Sequence, residues 1–436
     1  MKNQKIVGRG LLFILFLLSI GVSAQVTRQP YLQIPTPNSM VVRWQAGTGV
    51  VGKLYYGISK TELKDCINES KEERIYHEVK ISGLSPGTKY FYSVDGPSTV
   101  NEDQYFITPS KVTSDSPVRI WVISDFGQST SKDNERRFET VNQWRLFNSN
   151  SYHASFVLSL GDQTEDDATY QIQHNYFNQL ENVLKNSPLY PTIGNHDNHD
   201  SLTNYLKTFT LPAEADAGGI ASHTEKYYSF DYSNVHVVVL CTEIYADADF
   251  KAQAEWLKRD LDINKKEWLI ACMHQPLHSG GYHPSDKVET AQKRRDAWLT
   301  TLEDHGVDLI LQGHNHVYER SFLVDNLMGK STTLTNANKV NPGLGRPGSE
   351  GPYHKPPGNQ PHKGTIFISV PGGGVANSAK YYPAPFSIYP VAYPGSDYEG
   401  SLVIDVNNLQ MDVKFICDEK DKKDSHVWDY FTIIKN

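Results

Sequence analysis

Side chains able to hold metal ions recur at the ends of short apolar runs in this 436-residue chain. Val118–Ile123 runs into Ser124-Asp125-Phe126-Gly127, and Phe156–Leu160 into Gly161-Asp162. Leu189–Ile193 runs into Gly194-Asn195-His196-Asp197, Trp268–Met273 into His274, and Val307–Leu311 leads to Gly313-His314-Asn315-His316. Runs of this kind read as buried strands of an α/β sheet. In such sheets, sites form where the carboxyl ends of strands meet loops. Convergence of these five ends gathers Asp125, Asp162, Asn195, His274, His314 and His316 in one pocket, with His196 beside them. Mixed carboxylate, amide and imidazole donors suit Zn, Mn or Fe rather than Ca or Mg alone. Six donors are too many for one tetrahedral ion and suit two ions that share a carboxylate. Gly161, Gly194 and Gly313 let the chain turn sharply and bring a short side chain up to an ion. Each motif alone is an ordinary cap or turn; the ordered set points to a dinuclear centre.

The elements that must position these residues are legible from Pro117 onward. Apolar runs alternate with helical patterns at Asn134–Phe147, Tyr170–Leu184, Ala252–Leu261 and Glu289–Asp304, the mark of α/β architecture. Residues 326–363 are expected to be a surface loop, because Asn336–Lys363 is rich in Gly, Pro, Asn and Lys without an apolar period. Strand patterns return at Gly364–Val370, Ser401–Val406, Met411–Ile416 and Val427–Ile434. Ser369-Val-Pro-Gly-Gly-Gly374 either approaches a substrate with bare backbone or forms a turn, and Tyr381, Tyr382, Tyr389 and Tyr393 read as a packed loop after it. Residues 26–110 are different. Ser39–Gln45, Gly52–Tyr56, Ile75–Ile81 and Lys89–Val94 are short strands spaced by turns, which predicts a β-sandwich of immunoglobulin or fibronectin type. No His, Asp or Cys cluster lies there, so that unit is expected to be structural.

Composition narrows the class. A formal net charge of -8 argues against a general nucleic-acid binder. Four cysteines, none in a CxxC pair, exclude a disulfide-built scaffold and a thiolate zinc site; as widely spaced residues of an exported protein they are either paired or buried thiols. Lys2, Lys5 and Arg9 precede an apolar run, Leu11 to Val22, and Val22-Ser23-Ala24 offers small residues before Gln25. Residues 1–24 therefore read as a secretory signal cut after Ala24. The run is short for a span, and no later stretch is long enough, so the mature chain is expected in a periplasm or outside the cell.

The order of motifs resembles the calcineurin-like metallophosphoesterase superfamily, and within it the purple acid phosphatases. The first motif is Asp125-Phe-Gly127, the last continues as Gly-His-Asn-His-Val-Tyr-Glu-Arg320, and Gln29-Pro-Tyr-Leu-Gln33 looks like the start of that family's fibronectin-like domain. The resemblance implies a fibronectin III-like sandwich at 25–112 and an α-β-β-α catalytic domain at 113–436. It implies one metal on Asp125, Asp162 and His316, the other on Asn195, His274 and His314, with Asp162 bridging them together with a hydroxide. The family's GDxxY tyrosine, which binds ferric ion, is replaced by Glu165. Glu165 either supplies an oxygen ligand or orients a water, and the pair of ions is open among Fe, Mn and Zn.

The implied activity is hydrolysis of phosphate monoesters, with Asp162, His196 and His283 as catalytic residues and His196 the first candidate for donor to the leaving oxygen. His278 and His199 are expected to be surface or supporting histidines. A phosphodiesterase or a nucleotide or sugar-phosphate hydrolase on the same centre is the close alternative. An inactive binding protein on this fold is the alternative of another class. The partner is a phosphoester substrate; natural substrate, pH optimum and oligomeric state are not encoded in any motif.

Overall fold

The computed structural model describes residues 25–98, 101–111, 117–127, 131–166, 168–374, 388–393, 400–417 and 426–436. The segment 1–24, Tyr381, Tyr382 and the side chain of Tyr393 lie outside the described residues. Among the described residues no helix is long and apolar enough to cross a membrane.

The N-terminal unit is a two-sheet β-sandwich. One sheet pairs Val26–Thr36, Ser39–Val50 and Arg74–Ser82; the other orders Asp65–Asn68, Lys53–Gly57, Lys89–Ser93 and Tyr105–Ile107. Alternate residues face inward, so Leu32, Met40, Val42, Trp44, Leu54, Val79, Ile81 and Tyr92 fill one core. The sandwich is fastened to the rest of the chain along its first two strands. Arg28 is buried, donates from Nε to Gln173 at 2.8 Å and lies 4.2 Å over the Phe177 ring. The Tyr31 hydroxyl donates to the Thr208 carbonyl at 2.5 Å, and Arg43 donates to Thr210 at 2.7 Å and to the Lys207 carbonyl at 2.6 Å.

The C-terminal unit holds two seven-stranded mixed sheets. The first orders Leu189–Pro191, Phe156–Ser159, Val118–Ile123, Gly400–Asn407, Gln410–Cys417, His426–Lys435 and Tyr353–Lys355. Its first three strands are parallel, and so deliver their carboxyl ends to one edge. The second orders Tyr228–Tyr232, Val235–Val239, Trp268–Cys272, Leu309–Gln312, Ile366–Ser369, Tyr318–Arg320 and Val391–Tyr393, with the four from Val235 to Ser369 parallel. One apolar core, including Ile120, Phe156, Leu402, Phe230, Ile270, Leu309 and Ile368, joins the two sheets.

Helices cover the outer faces. Asp247–Ile263 buries Phe250, Gln253, Leu257 and Leu261, one stripe at helical spacing, with Trp256 beside it. These residues pack on Val238, Leu269, Ala271 and Ile310 of the second sheet. On the first sheet, Trp144 of helix Ser131–Phe147 stacks on Trp121 with ring centres 5.4 Å apart. The result is the expected α-β-β-α arrangement behind a β-sandwich.

One expectation needs correction and another narrows. Residues 326–363 are not simply a surface loop: Tyr353–Lys355 forms the edge strand of the first sheet, parallel to His426–Lys435. Lys355 is buried there because its ammonium meets Asp308 at 2.5 Å, a long-range partner that local composition does not reveal. Of the two readings for His278, surface or supporting, its burial excludes the surface one. Its ring is buried, donates to the Leu327 carbonyl at 2.9 Å, and burial followed by the nearby Arg295 charge drives its pKa down to about 3. The cysteines are all free thiols, with Cys241, Cys272 and Cys417 buried and Cys66 exposed.

A buried ionic group under the second sheet sets a pH dependence. His236 bonds Asp231 and Asp260, each at 2.8 Å. Burial alone lowers its pKa, but the two carboxylates outweigh it and raise the value to about 9. A raised pKa stabilises the fold below the unfolded value, and that contribution fades as pH climbs through the folded one. Stability is therefore expected to fall by about 3 kcal/mol between neutral-acid pH and pH above 9. Urea midpoints across that window, compared with those of His236→Gln, check it; equal slopes for both proteins refute the assignment.

Candidate metal centre

The five strand ends meet at one edge of the two sheets. The first sheet brings Asp125, Asp162 and Asn195, and the second brings His274, His314 and His316. Donor atoms of Asp162, His274 and His314 lie within 4.8 Å of one another. His274 Nε2 is 3.3 Å from Asp162 Oδ2 and 3.0 Å from Asn195 Oδ1. His316 Nε2 is 3.3 Å from Asp125 Oδ1.

The loops are held in shape by exchange of backbone bonds. Asp125 N–H donates to Gly161 at 3.1 Å, Gly127 N–H to Asp162 at 3.0 Å, and Gly313 N–H to His274 at 2.9 Å. Asp125, Asp162, His314 and His316 all sit in the left-handed region, with φ of 48°, 53°, 67° and 48°. Side chains seldom adopt it, and such strain concentrates where function over-determines the backbone. Gly194 illustrates the crowding: a Cβ there would lie 2.1 Å from Asp162 Oδ1. The glycine run braces the first loop: Gly373 N–H donates to the Ser124 carbonyl at 2.8 Å, and the Gly373 carbonyl accepts from the Thr140 hydroxyl at 2.8 Å.

Each ligand-type side chain is oriented by a second contact. His274 Nδ1 donates to the Leu160 carbonyl at 2.7 Å, which leaves Nε2 facing the cluster. Burial lowers the His274 pKa, yet Asp162 beside it raises the value to about 10. His314 moves the other way, pushed well down by burial and then by His274. Asp125 is fully buried, accepts His314 N–H at 3.0 Å through Oδ2, and keeps Oδ1 without a hydrogen bond. A buried carboxylate whose Oδ1 meets only the His316 ring nitrogen, at 3.3 Å, close to further ligand-type side chains, is a site that calls for cations. The donor set therefore fits a pair of metal ions.

The remaining predicted residues lie around this cluster. His196 donates its backbone N–H to Asp162 Oδ1 at 2.9 Å, and its ring Nδ1 donates to the Glu165 carbonyl at 2.7 Å. The Glu165 carboxylate faces that ring, 3.6 Å from Nδ1, and is half-exposed. His283 stacks on His314 at 4.7 Å, and its backbone is pinned by both ends of the Asn315 amide. His199 is exposed, 5.9 Å from His196.

Sequence reasoning passed over Asp197, which accepts N–H bonds from Gln163 at 2.8 Å, Thr164 at 3.2 Å and Gly194 at 2.9 Å. It ties the Asp162 loop to the Asn195 loop. Its place at the end of Gly194-Asn-His-Asp197 was the available signal. A second group of ligand-type side chains, Glu303, Asp325 and His362, lies apart from the five motifs.

Residues 118–318 match the calcineurin-like phosphoesterase family, and residues 27–114 match the purple acid phosphatase N-terminal domain. The chain is a purple acid phosphatase-like member of the calcineurin-like phosphoesterase superfamily. Among this family's members, Purple acid phosphatase 15 of Arabidopsis thaliana is 29% identical over 276 residues, covering 58% of this chain and 50% of its own. Fe(3+)-Zn(2+) purple acid phosphatase 12 of the same plant is 25% identical over 267 residues, covering 58% and 53%. These alignments thus span about half the length of the relatives. A purple acid phosphatase structure from yellow lupin (Lupinus luteus) seeds superposes with a TM-score of 0.68 at 16% identity, over 93% of this chain and 74% of that one, and supports the fold.

Proposed function

We propose that this purple acid phosphatase-like chain is an exported, dinuclear-metal phosphatase that hydrolyses phosphate monoesters. The observation that carries the reading is the convergence of Asp162, His274 and His314 within 4.8 Å, from two sheets, beside Asp125, Asn195 and His316. In this reading Asp125, Asp162 and His316 hold one ion, and Asp162, Asn195, His274 and His314 hold the other. Bound there, a cation pair supplies charge for phosphoryl oxygens, acidifies water and stabilises the in-line transition state.

The chain's own residues do the rest. Asp162 sits between the two halves and, through Oδ1, fixes the His196 backbone. His196 is the donor to the leaving oxygen: its Nδ1–H is occupied by the Glu165 carbonyl, so Nε2 is the nitrogen left to handle a substrate proton. Glu165 thereby acts on the His196 side, and in place of a ligand it orients that ring through its carbonyl, with its carboxylate 3.6 Å from Nδ1. His283 lines the cavity next to His314, with its ring stacked on the His314 ring at 4.7 Å, and is placed as a hydrogen-bonding partner for phosphate. The iron–zinc pair named in the Arabidopsis relative is the first pair to look for, with Mn the alternative because carboxylate and imidazole donors serve all three. Export rests on the leader-like residues 1–24.

Elemental analysis of purified protein, with hydrolysis of p-nitrophenyl phosphate and its bis ester, tests the reading. Two equivalents of metal and faster turnover of the monoester are expected. Faster turnover of the bis ester would convert the reading to a phosphodiesterase, and absence of both activities in metal-replete protein would overturn it. His196→Ala is expected to lower kcat by about 10²- to 10⁴-fold while metal content stays. Metal loss in that variant would instead place His196 among the ligands.

A further inference from the structure

A cavity of about 130 Å³ opens beside the metal centre, and His314, His283, Arg294 and Gln275 are among the residues that line it. Arg294 is the one charged side chain in its lining. It is 1% exposed, and its Nε has no hydrogen-bond partner. One Nη donates to the Gln275 amide oxygen and to Thr290 at 3.1 Å. Among the described residues no carboxylate approaches Arg294 within ion-pair distance; Glu243 is reached only through the Gln275 amide, which donates to Glu243 at 2.7 Å. The neighbouring Arg295 is the internal control. Its Nε donates to Met328 at 3.1 Å, Nη1 to Leu277 at 2.5 Å and Nη2 to Gln292 at 2.7 Å, so all its nitrogens serve the fold.

A buried guanidinium without a carboxylate is costly. The cost shows in its pKa, which burial pushes down to about 10 despite Glu243. Arg294 also stands immediately before a widened helical turn, Arg295–Leu299, a distortion often kept where function needs it. The fork geometry of arginine matches a carboxylate or a second phosphate.

Resting on the phosphatase reading, we infer that Arg294 is a specificity-determining residue that binds a second anionic group on the substrate's leaving alcohol. The favoured substrates are phosphate esters carrying a carboxylate or further phosphate only a short spacer from the reacting ester. The spacer is short because one small cavity contains both Arg294 and the His314 ring.

The test uses the protein as purified with its metals. Calorimetry compares 3-phosphonopropionate, which has a second anionic arm, with ethylphosphonate, which does not. Wild type is expected to bind the first at least about tenfold more tightly, the scale of one charge-assisted hydrogen bond. Arg294→Met is expected to erase that preference and leave p-nitrophenyl phosphate turnover within about threefold. Arg294→Lys, which preserves a buried cation, retains part of the preference and serves if Arg294→Met does not fold. Equal affinity of wild type for the two phosphonates overturns the subsite, as does an equal loss of both in the variants. Failure of wild type to hydrolyse p-nitrophenyl phosphate falls on the phosphatase reading instead, since the phosphonate comparison reads binding alone.

Discussion

Asp162→Asn is expected to leave a folded protein that no longer hydrolyses phosphate esters. The substitution keeps volume and removes one charge from a carboxylate that is 1% exposed. Oδ2 stands 3.3 Å from His274 Nε2, and Oδ1 receives the His196 N–H at 2.9 Å. An amide in that place must turn either its NH₂ toward a backbone donor or its NH₂ toward the cation cluster, and both are repulsive. In the proposed assignment Asp162 is shared by both ions, so both halves lose affinity together. A drop in kcat/KM of at least about 10³-fold is expected, together with lost metal and an unchanged far-ultraviolet spectrum. Elemental analysis and steady-state kinetics on the same preparation check it. Wild-type turnover with full metal content would remove Asp162 from the centre.

The largest effect on stability is expected far from the metal donors, at Asp429. This carboxylate is fully buried and receives four bonds: Tyr318 hydroxyl at 2.8 Å, Arg320 Nε at 2.6 Å and Nη2 at 3.1 Å, and Arg346 at 2.8 Å. Burial would raise its pKa, but the Arg320 guanidinium holds it below the usual carboxylate range. Asp429→Ala strands Arg320, itself fully buried, and breaking a buried pair in this way costs about 3–5 kcal/mol. The depressed pKa means that this contribution is present at neutral pH and lost as pH falls through the acidic range. Chemical denaturation at neutral pH reads the loss directly. A change under about 1 kcal/mol would show that solvent or relaxation replaces the network. Because Tyr318 follows His316 by two residues, the variant is also expected to hold metal less firmly.

That network explains part of what the sequence could and could not tell. Gly313-His-Asn-His-Val-Tyr-Glu-Arg320 reads as one functional motif, yet its two ends do different work. His314 and His316 face the cluster, whereas Tyr318 and Arg320 hold a strand of the other sheet, and Glu319 accepts bonds from Ser279 at 2.7 Å and Gly280 at 3.0 Å. Local pattern could place the strands that end in Asp125, Asp162, Asn195, His274 and His314, because a buried strand must be apolar and must stop at a turn. The sandwich was readable for the same reason, through alternation at Ser39–Gln45. The strand Tyr353–Lys355 was not, since its pairing to His426–Lys435 and the Lys355–Asp308 ion pair join residues remote in sequence. Arg294 and Asp197 escaped notice for a related reason. Arg294 stands next to another arginine in a helix, and only packing separates the one that is satisfied from the one that is not.

The grip of the first two strands on the catalytic unit has a further meaning. Arg28, Tyr31 and Arg43 do not hold a sheet; they hold Gln173, Phe177, Lys207, Thr208 and Thr210, the stretches on either side of the Asn195 loop. The N-terminal unit is thus a keel for the span of chain that carries Asn195 and His196. A trimmed version beginning at the first phosphoesterase strand would sail without it, its Phe177 ring wetted and the loop's moorings cut, although every metal-type side chain would still be aboard.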